Sequence, residues 1–353
     1  MIGNRTLHAA LAIAAGALLA TQTPVLAQGS AEAFYKGKNI SMIIGYPPGG
    51  GYDRYGRTVA RHIGKHIPGK PSIILKNMPG AGSLVFANYL YNVAPKDGSE
   101  FGIFAGGIAM DALIGGKKTR FDSRKFTWLG SANESTSACF AWQDAKVNNL
   151  ADLMKTELVV GASSGGSSTF AWPTAMNNVL GTKFKIVAGY PGSKAIVLAM
   201  EKGEVKGLCG YFLSSIRSVR PKWLPEKKVK IIVLESTKPH PDFPNVKTVM
   251  DYARTEDDKK ILNIVFGWQV MGRPFAAPPG IPADRAKALR EAFWKTMKDP
   301  AFLADAKKVR IQIEPRTHTQ VQDYLDEAWK TPAPLVKKVF VALGRDKATK
   351  KKK

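Results

Sequence analysis

The chain has 353 residues, 44% of them apolar, and 52 Lys and Arg against 28 Asp and Glu give a formal net charge of +24. Such a length carries a large core and points to two domains, and the positive surplus favours acidic partners. The basic residues are not clustered with aromatics and no docking motif is present, which sets nucleic acid aside.

The first 27 residues read as a cleaved export signal. Arg5 makes the start positive, Ala9 to Ala20 form a short apolar run, and Val25-Leu26-Ala27 is a small-residue cleavage site before Gln28. The run is shorter than the roughly 20 residues that span a bilayer. With no Cys after it, a soluble periplasmic protein is expected rather than a lipid-anchored one. Cys139 and Cys209 are the two cysteines, and in an oxidising compartment they either pair or stay as buried thiols.

The next stretch, "ISMIIGYPPGGGYDRYGRTVARHI", predicts a strand, a Pro- and Gly-rich loop, and a helix from about Tyr52 to His66. Pro47 and Pro48 forbid helix and central strand, while Gly49, Gly50 and Gly51 let the backbone turn with its N–H groups exposed. Donors gathered at a helix start suit an anion, although the same composition marks ordinary turns. Arg54, Arg57, Arg61 and Lys65 line one face of the helix, most simply the solvated one. A strand "SIILK", a turn "NMPGAGS", a helix "LVFANYLYNVA", a turn "PKDGS" and a strand "FGIFA" follow. The alternation predicts an α/β fold with a largely parallel sheet.

The order then repeats. "ELVVGASSGGSSTFAWPTAMNNVLGTKFKIVAGY" is again strand, small-residue loop, helix, Gly turn and strand, with Pro173 expected to kink the helix or delay its start. In such sheets these loops lie at the carboxyl ends of strands, where open α/β folds bind ligands. Two units of this kind can face each other across a cleft. A later pair of apolar runs, "ILNIVFGWQVMGRPFAAPPGIP", and the helix after Pro282 suit a chain that leaves one lobe and returns to it.

With these residues placed, nearly the whole mature chain resembles the solute-binding receptors of tripartite tricarboxylate transporters, the Bug family. "YPPGGGYDRYGR", "NMPGAGS", "APKDGSEFGIF", "FDSRKFTWLG", "GASSGGSS", "GYPGSKAIVLAMEKGEVKGLCG" and "APPGIPADRAKALREAFWKTMKDP" are similar to that family's landmarks, in order. Met78, Met110-Asp111 and Lys206-Gly207 depart from its usual residues. The resemblance implies a two-lobed periplasmic-binding-protein-like fold with a ligand cleft between the lobes. It implies a receptor, not an enzyme, that holds a small mono-, di- or tricarboxylate mainly through backbone amides, hydroxyls and water and delivers it to integral membrane subunits. A monomer is expected, with no cofactor and no metal. Residues 28–132 and 258–343 are assigned to domain I, 133–257 to domain II, and 344–353 to a basic disordered tail.

The expected ligand-binding residues are Tyr46, Pro47, Pro48, Gly49, Gly50, Gly51 and Asp53 in the first loop, with Gly106 as a weaker candidate. In the second lobe they are Ser163, Ser164, Ser167, Ser168 and Thr169, together with Tyr190, Gly192 and Ser193. Asp53 repels an anion, so it is read chiefly as a cap and brace of the loop, contact with a ligand ammonium being the alternative. Trp172 and Tyr211 are weighed as the lining of a pocket for an aromatic acid and read as core, Lys194 either adds charge to the site or is solvated, and Asn77, Pro79, Gly80 and Gly82 are read as shaping a turn. The rival function is a secreted α/β-hydrolase. Gly161-Ala162-Ser163-Ser164-Gly165 fits the nucleophile elbow, with Asp242 or Asp251 as acid and His318 as base. His62 and His66 lack the Glu of a zincin helix.

Overall fold

The computed structural model describes residues 30–116 and 118–346. The leader expected at 1–27 and the lysine-rich end from 347 lie outside them. The first part of the chain forms α1 (Ala31–Tyr35), β1 (Asn39–Ile44), α2 (Gly51–Ile63), β2 (Ser72–Asn77), α3 (Leu84–Asn92), β3 (Glu100–Ile103), α4 (Gly106–Asp111) and β4 (Thr127–Ser131). The middle forms β5 (Ser137–Trp142), β6 (Leu158–Ala162), α5 (Ser168–Leu180), β7 (Phe184–Ala188), α6 (Ser193–Glu201), β8 (Gly207–Phe212), α7 (Leu213–Val219) and β9 (Val229–Glu235). The remainder is α8 (Glu256–Gly267), β10 (Pro274–Ala277), α9 (Ala283–Lys298), α10 (Pro300–Lys308), β11 (Arg316–Thr317), α11 (His318–Ala328) and α12 (Ala333–Ala342).

These strands make two sheets, ordered β11-β4-β10-β3-β1-β2 and β7-β6-β8-β5-β9. Each contains a parallel unit, β2-β1-β3 in one and β7-β6-β8 in the other, built from the repeated strand-loop-helix pattern. The sheets are mixed rather than largely parallel. β10 and β11 in the first sheet, and β5 and β9 in the second, pair antiparallel because the chain enters them after crossing or folding back.

Packing follows the sequence pattern. β1 buries Ile40, Met42, Ile43 and Ile44 on both faces, as a central strand must. α2 lays Tyr55, Val59 and Ile63 on the sheet. Gly56 lets it sit close, since a Cβ there would stand 2.6 Å from the Ile44 side chain. Pro173 lies inside α5, which runs unbroken from Ser168.

The lobes are joined by segments that run side by side. The Ala132 N–H donates to the Arg273 carbonyl at 2.9 Å, and that of Ser135 to the Gln269 carbonyl at 3.2 Å. α8 and α12 pack on α5 of the second lobe, so the position near 258 falls within a helix that contacts that lobe. Cys139 and Cys209 face each other on β5 and β8 as a disulfide, Cα atoms 3.9 Å apart. Arg345, at the start of the expected tail, pairs with Asp111.

Candidate binding cleft

The first wall is the loop between β1 and α2. Gly49 has φ +93°, a conformation that favours glycine, and its N–H donates to Asp53 Oδ2 at 2.9 Å. The same oxygen accepts from Arg57 Nε at 2.8 Å, and Oδ1 accepts from Asn77 Nδ2 at 3.0 Å. Asn77 also donates to the Tyr46 carbonyl at 2.7 Å. Burial raises the Asp53 pKa, but the hydrogen bonds from Arg57, Asn77 and Gly49 together outweigh it and hold the carboxyl below its ordinary value. Asp53 is therefore a charged brace beneath the loop. The "NMPGAGS" turn buttresses it, since Gly82 accepts the Tyr46 hydroxyl at 3.2 Å.

The opposite wall is the Ser/Gly loop before α5, whose hydroxyls largely hold the loop itself. The Ser163 N–H donates to Thr169 Oγ1 at 3.0 Å, and the Ser167 hydroxyl donates to the Ser164 carbonyl at 2.7 Å. The Ser168 hydroxyl donates to the Gly210 carbonyl at 2.8 Å, tying the loop to β8. The turn before α6 closes the rim. A Cβ on Gly192 would stand 3.0 Å from Pro47, and one on Gly50 3.2 Å from Ser193 Oγ, so the lobes nearly touch there.

Between these walls is a cavity of about 200 Å³. Eleven of the sixteen expected residues line it: Tyr46, Pro47, Pro48, Gly50, Gly51, Ser163, Ser167, Ser168, Thr169, Gly192 and Ser193. Asp53 stands behind the first wall and Ser164 behind the second, while Gly49 lies at the rim, where a Cβ would meet Lys194 at 2.9 Å. Tyr190 points its hydroxyl toward Glu204 at the surface, 3.5 Å away. Gly106 packs in the interior, where a Cβ would meet the Met271 carbonyl at 2.3 Å.

Sequence reasoning favoured core for Tyr211 and did not single out Tyr52, Phe212, Ser215 or Arg273 for the cavity. Tyr211 lines it, as do Tyr52, Phe212, Ser215 and Arg273, with Lys194 exposed at the rim. Trp172 instead packs against Phe266 and Trp268. Tyr46 and Tyr52 stack with ring centres 4.6 Å apart. Burial raises the pKa of both hydroxyls, and that of Tyr211, so all three stay protonated.

Arg273 is the one charged side chain in the lining that is fully buried, at 0% exposure. Its guanidinium carbon lies 4.4 Å from the Tyr52 ring centre and 4.3 Å from that of Phe212. Nη1 donates to the Gly272 carbonyl and Nη2 to Ser215 Oγ, both at 2.8 Å, while Nε has no hydrogen-bond partner. Among the described residues no carboxylate pairs with it. The hydroxyls of Tyr52 and Tyr211 are also unpaired; Arg273 and the Gly106 backbone lie near the first and Ser193 near the second, but none of these geometries makes a hydrogen bond. The signal in the sequence was a lone arginine inside an apolar run, "VMGRPFAA".

The hydrolase reading does not survive this geometry. Ser163 is at the cleft, but no histidine lines it. Asp242 pairs with Arg217, Asp251 closes a capping box with Thr248, and His318 begins α11, next to Thr319. His62 and His66 contact Asp305 and Asp299, and no group of three or more metal-ligating side chains occurs among the described residues.

No protein-family model matches the chain. It is 23% identical over 246 residues, 68% of this chain and 70% of the other, to a UPF0065 protein in the tcbD-tcbE intergenic region of Pseudomonas sp. strain P51. Among solved structures it is similar to MatC (Rpa3494) from Rhodopseudomonas palustris with bound malate, with TM-score 0.67 and 18% identity over 86% of this chain and 99% of that one. It is similar to the periplasmic binding protein BugD, with TM-score 0.66 and 16% identity over 88% of this chain and 99% of that one. Rpa4515 of R. palustris with adipate gives TM-score 0.66 and 17% identity over 87% and 98%. The family resemblance read from the motifs is thus borne out at the level of the fold, which is that of two-lobed periplasmic binding proteins.

Proposed function

We propose that the chain is a receptor of the tripartite tricarboxylate transporter type, exported to the periplasm, that captures a small carboxylate between its lobes and presents it to membrane subunits. The observation that carries the reading is the pair of loops, one from each sheet, that meet over a single cavity of about 200 Å³. Each loop ends at the start of a 13-residue helix, α2 and α5, where unpaired N–H groups favour negative charge. The side-by-side crossing segments supply a hinge. Ligand binding shifts an open form toward the closed one because only the closed form brings both loops to one ligand. The malate bound in MatC and the adipate in Rpa4515, two structures with this fold, support a carboxylate as that ligand.

The test is a thermal-shift panel of carboxylates, amino acids and neutral analogues on the mature protein, with an ester assayed alongside. A ligand at 100 times its Kd should stabilise the fold by about 2.7 kcal/mol, a shift of several degrees. A carboxylate that shifts the midpoint without ester turnover supports the receptor. A flat panel, or ester turnover lost in Ser163→Ala, refutes it.

A further inference from the structure

We propose that Arg273 is the direct anchor of the ligand's carboxylate and that the ligand is an aromatic monocarboxylate. The inference rests on the receptor reading above and names the substrate class of the same cavity. A guanidinium has five N–H donors, and Arg273 uses two of them, on Gly272 and Ser215. The rings of Tyr52, Tyr55 and Phe212 surround the group, and its Nε is unpaired in a side chain with no exposure. Burying a charge without a partner is costly, and a carboxylate accepted in its fork-like geometry removes that cost.

The rest of the cavity decides the body of the ligand. Beside the hydroxyls of the Ser/Gly loop, its walls carry the flat rings of Tyr46, Tyr52, Tyr211 and Phe212 and the prolines of the first loop, surfaces that stack on a ring. The one further charged side chain in the lining is the exposed Lys194 at the rim, so a second carboxylate has no buried cation to pair with. An amino acid would find no acid in the lining for its ammonium. An apolar cavity of about 150 Å³ takes up benzene, so the space of about 200 Å³ here accommodates a ring with its carboxylate.

The experiment compares benzoate, its neutral analogue benzamide, malate and adipate on the mature protein by titration calorimetry and thermal shift, with Arg273→Met and Arg273→Lys alongside. Benzoate is expected to bind more tightly than malate or adipate, and benzamide at least about 100-fold more weakly than benzoate, the order seen when a buried charge loses its partner. Arg273→Met should lose about 100-fold in benzoate affinity while melting no lower than the parent without ligand. Arg273→Lys should lose about 10-fold, because it keeps the charge but not the fork. Several results overturn the proposal while leaving a carboxylate receptor standing: benzamide binding like benzoate, malate or adipate binding more tightly than benzoate, or Arg273→Met binding benzoate like the parent. A lower unliganded midpoint in Arg273→Met with affinity kept would make the arginine structural and overturn the anchor. If Arg273→Met does not fold, the benzamide comparison on the parent and Arg273→Lys decide the question. No binding of any carboxylate by the parent defeats the receptor reading, and the anchor with it.

Discussion

Gly51 is the position where closure can be blocked without touching either lobe's core. It begins α2 in the first lobe, and Ser215 faces it from α7 in the second. A Cβ at 51 would stand 2.1 Å from Ser215 Oγ and 3.1 Å from Arg273 Nη2. The side chain of Gly51→Ala therefore leaves two escapes. The Ser215 hydroxyl can turn away, which breaks its 2.8 Å bond to Arg273 and costs about 1.5–3 kcal/mol for a hydrogen bond to a charged group. Alternatively the lobes part, at the roughly 1–3 kcal/mol typical of overpacking. Either cost falls on the closed form, since opening separates the two residues. At about 1.4 kcal/mol per tenfold, ligand binding weakens by about 10- to 100-fold, whereas the unliganded melting midpoint moves much less. Calorimetric titration with the carboxylate chosen from the panel measures the loss, and small-angle scattering reports the closed fraction. Gly51→Ala should cost far less affinity in the Ser215→Ala background than in the parent, because removing the hydroxyl removes the 2.1 Å contact and leaves the milder ones of 3.1 Å to the Ser215 Cβ and Arg273 Nη2. Parental affinity in Gly51→Ala, or simple additivity in the double variant, would refute the argument.

Two further outcomes concern charges behind the walls. Glu235 is fully buried, accepts from the Gly210 N–H at 2.7 Å and the Ser137 hydroxyl at 3.0 Å, and leaves Oε1 unpaired. Burial pushes its pKa up from 4.5 to about 8, so the folded protein keeps a proton that the unfolded chain releases. Its contribution to stability is whole below about pH 4.5 and falls by up to about 1.4 kcal/mol per pH unit until about pH 8. Urea midpoints across pH 4–9 should show this loss in the parent and not in Glu235→Gln, and parallel curves would contradict it. Asp53 has the opposite sign. Its lowered pKa contributes stability above the unfolded carboxylate's value, and that contribution is lost as pH falls through the folded one. Asp53→Asn should cost about 1.5–3 kcal/mol at pH 7 by urea denaturation, weaken ligand binding through the loose first loop, and differ less from the parent the further the pH falls below the unfolded carboxylate's value. Equal stability at pH 7 would remove Asp53 from the loop's support.

How much was legible follows from which forces act locally. The Pro-Pro-Gly-Gly-Gly and Ser/Gly loops announce themselves because each needs backbone freedom at a fixed place between strand and helix, and both reach the cleft. Asp53 was rightly suspected as a brace, since a carboxylate in the first turn repels an anion and satisfies N–H groups. Gly106 was misleading: it follows a strand as binding loops do, yet packs beside Met271 and Trp268. The sheet directions were only half visible, because β10 pairs between β3 and β4 only after the chain has visited the other lobe. Arg273 showed in the sequence only as a lone arginine in an apolar run, for the same reason. Its neighbours Tyr52, Phe212 and Ser215 lie about 60 to 220 positions away, and tertiary closure alone makes its burial unusual.

That burial also bears on how such a receptor empties and fills. In the closed form without ligand, Arg273 has no acid to meet and little water, so the closed empty state is the costly one. Opening the cleft hydrates the guanidinium, and a bound carboxylate removes the cost by pairing with it. A ligand shifts a two-state equilibrium only by its differential affinity for the two states. Here one residue provides much of that difference, because its pairing gain is realised only where water is excluded. The backbone amides of the two loops act otherwise, since water satisfies them when the lobes part. Affinity and closure are therefore coupled through Arg273, and a neutral side chain at 273 should leave a protein that closes without ligand and gains little from it.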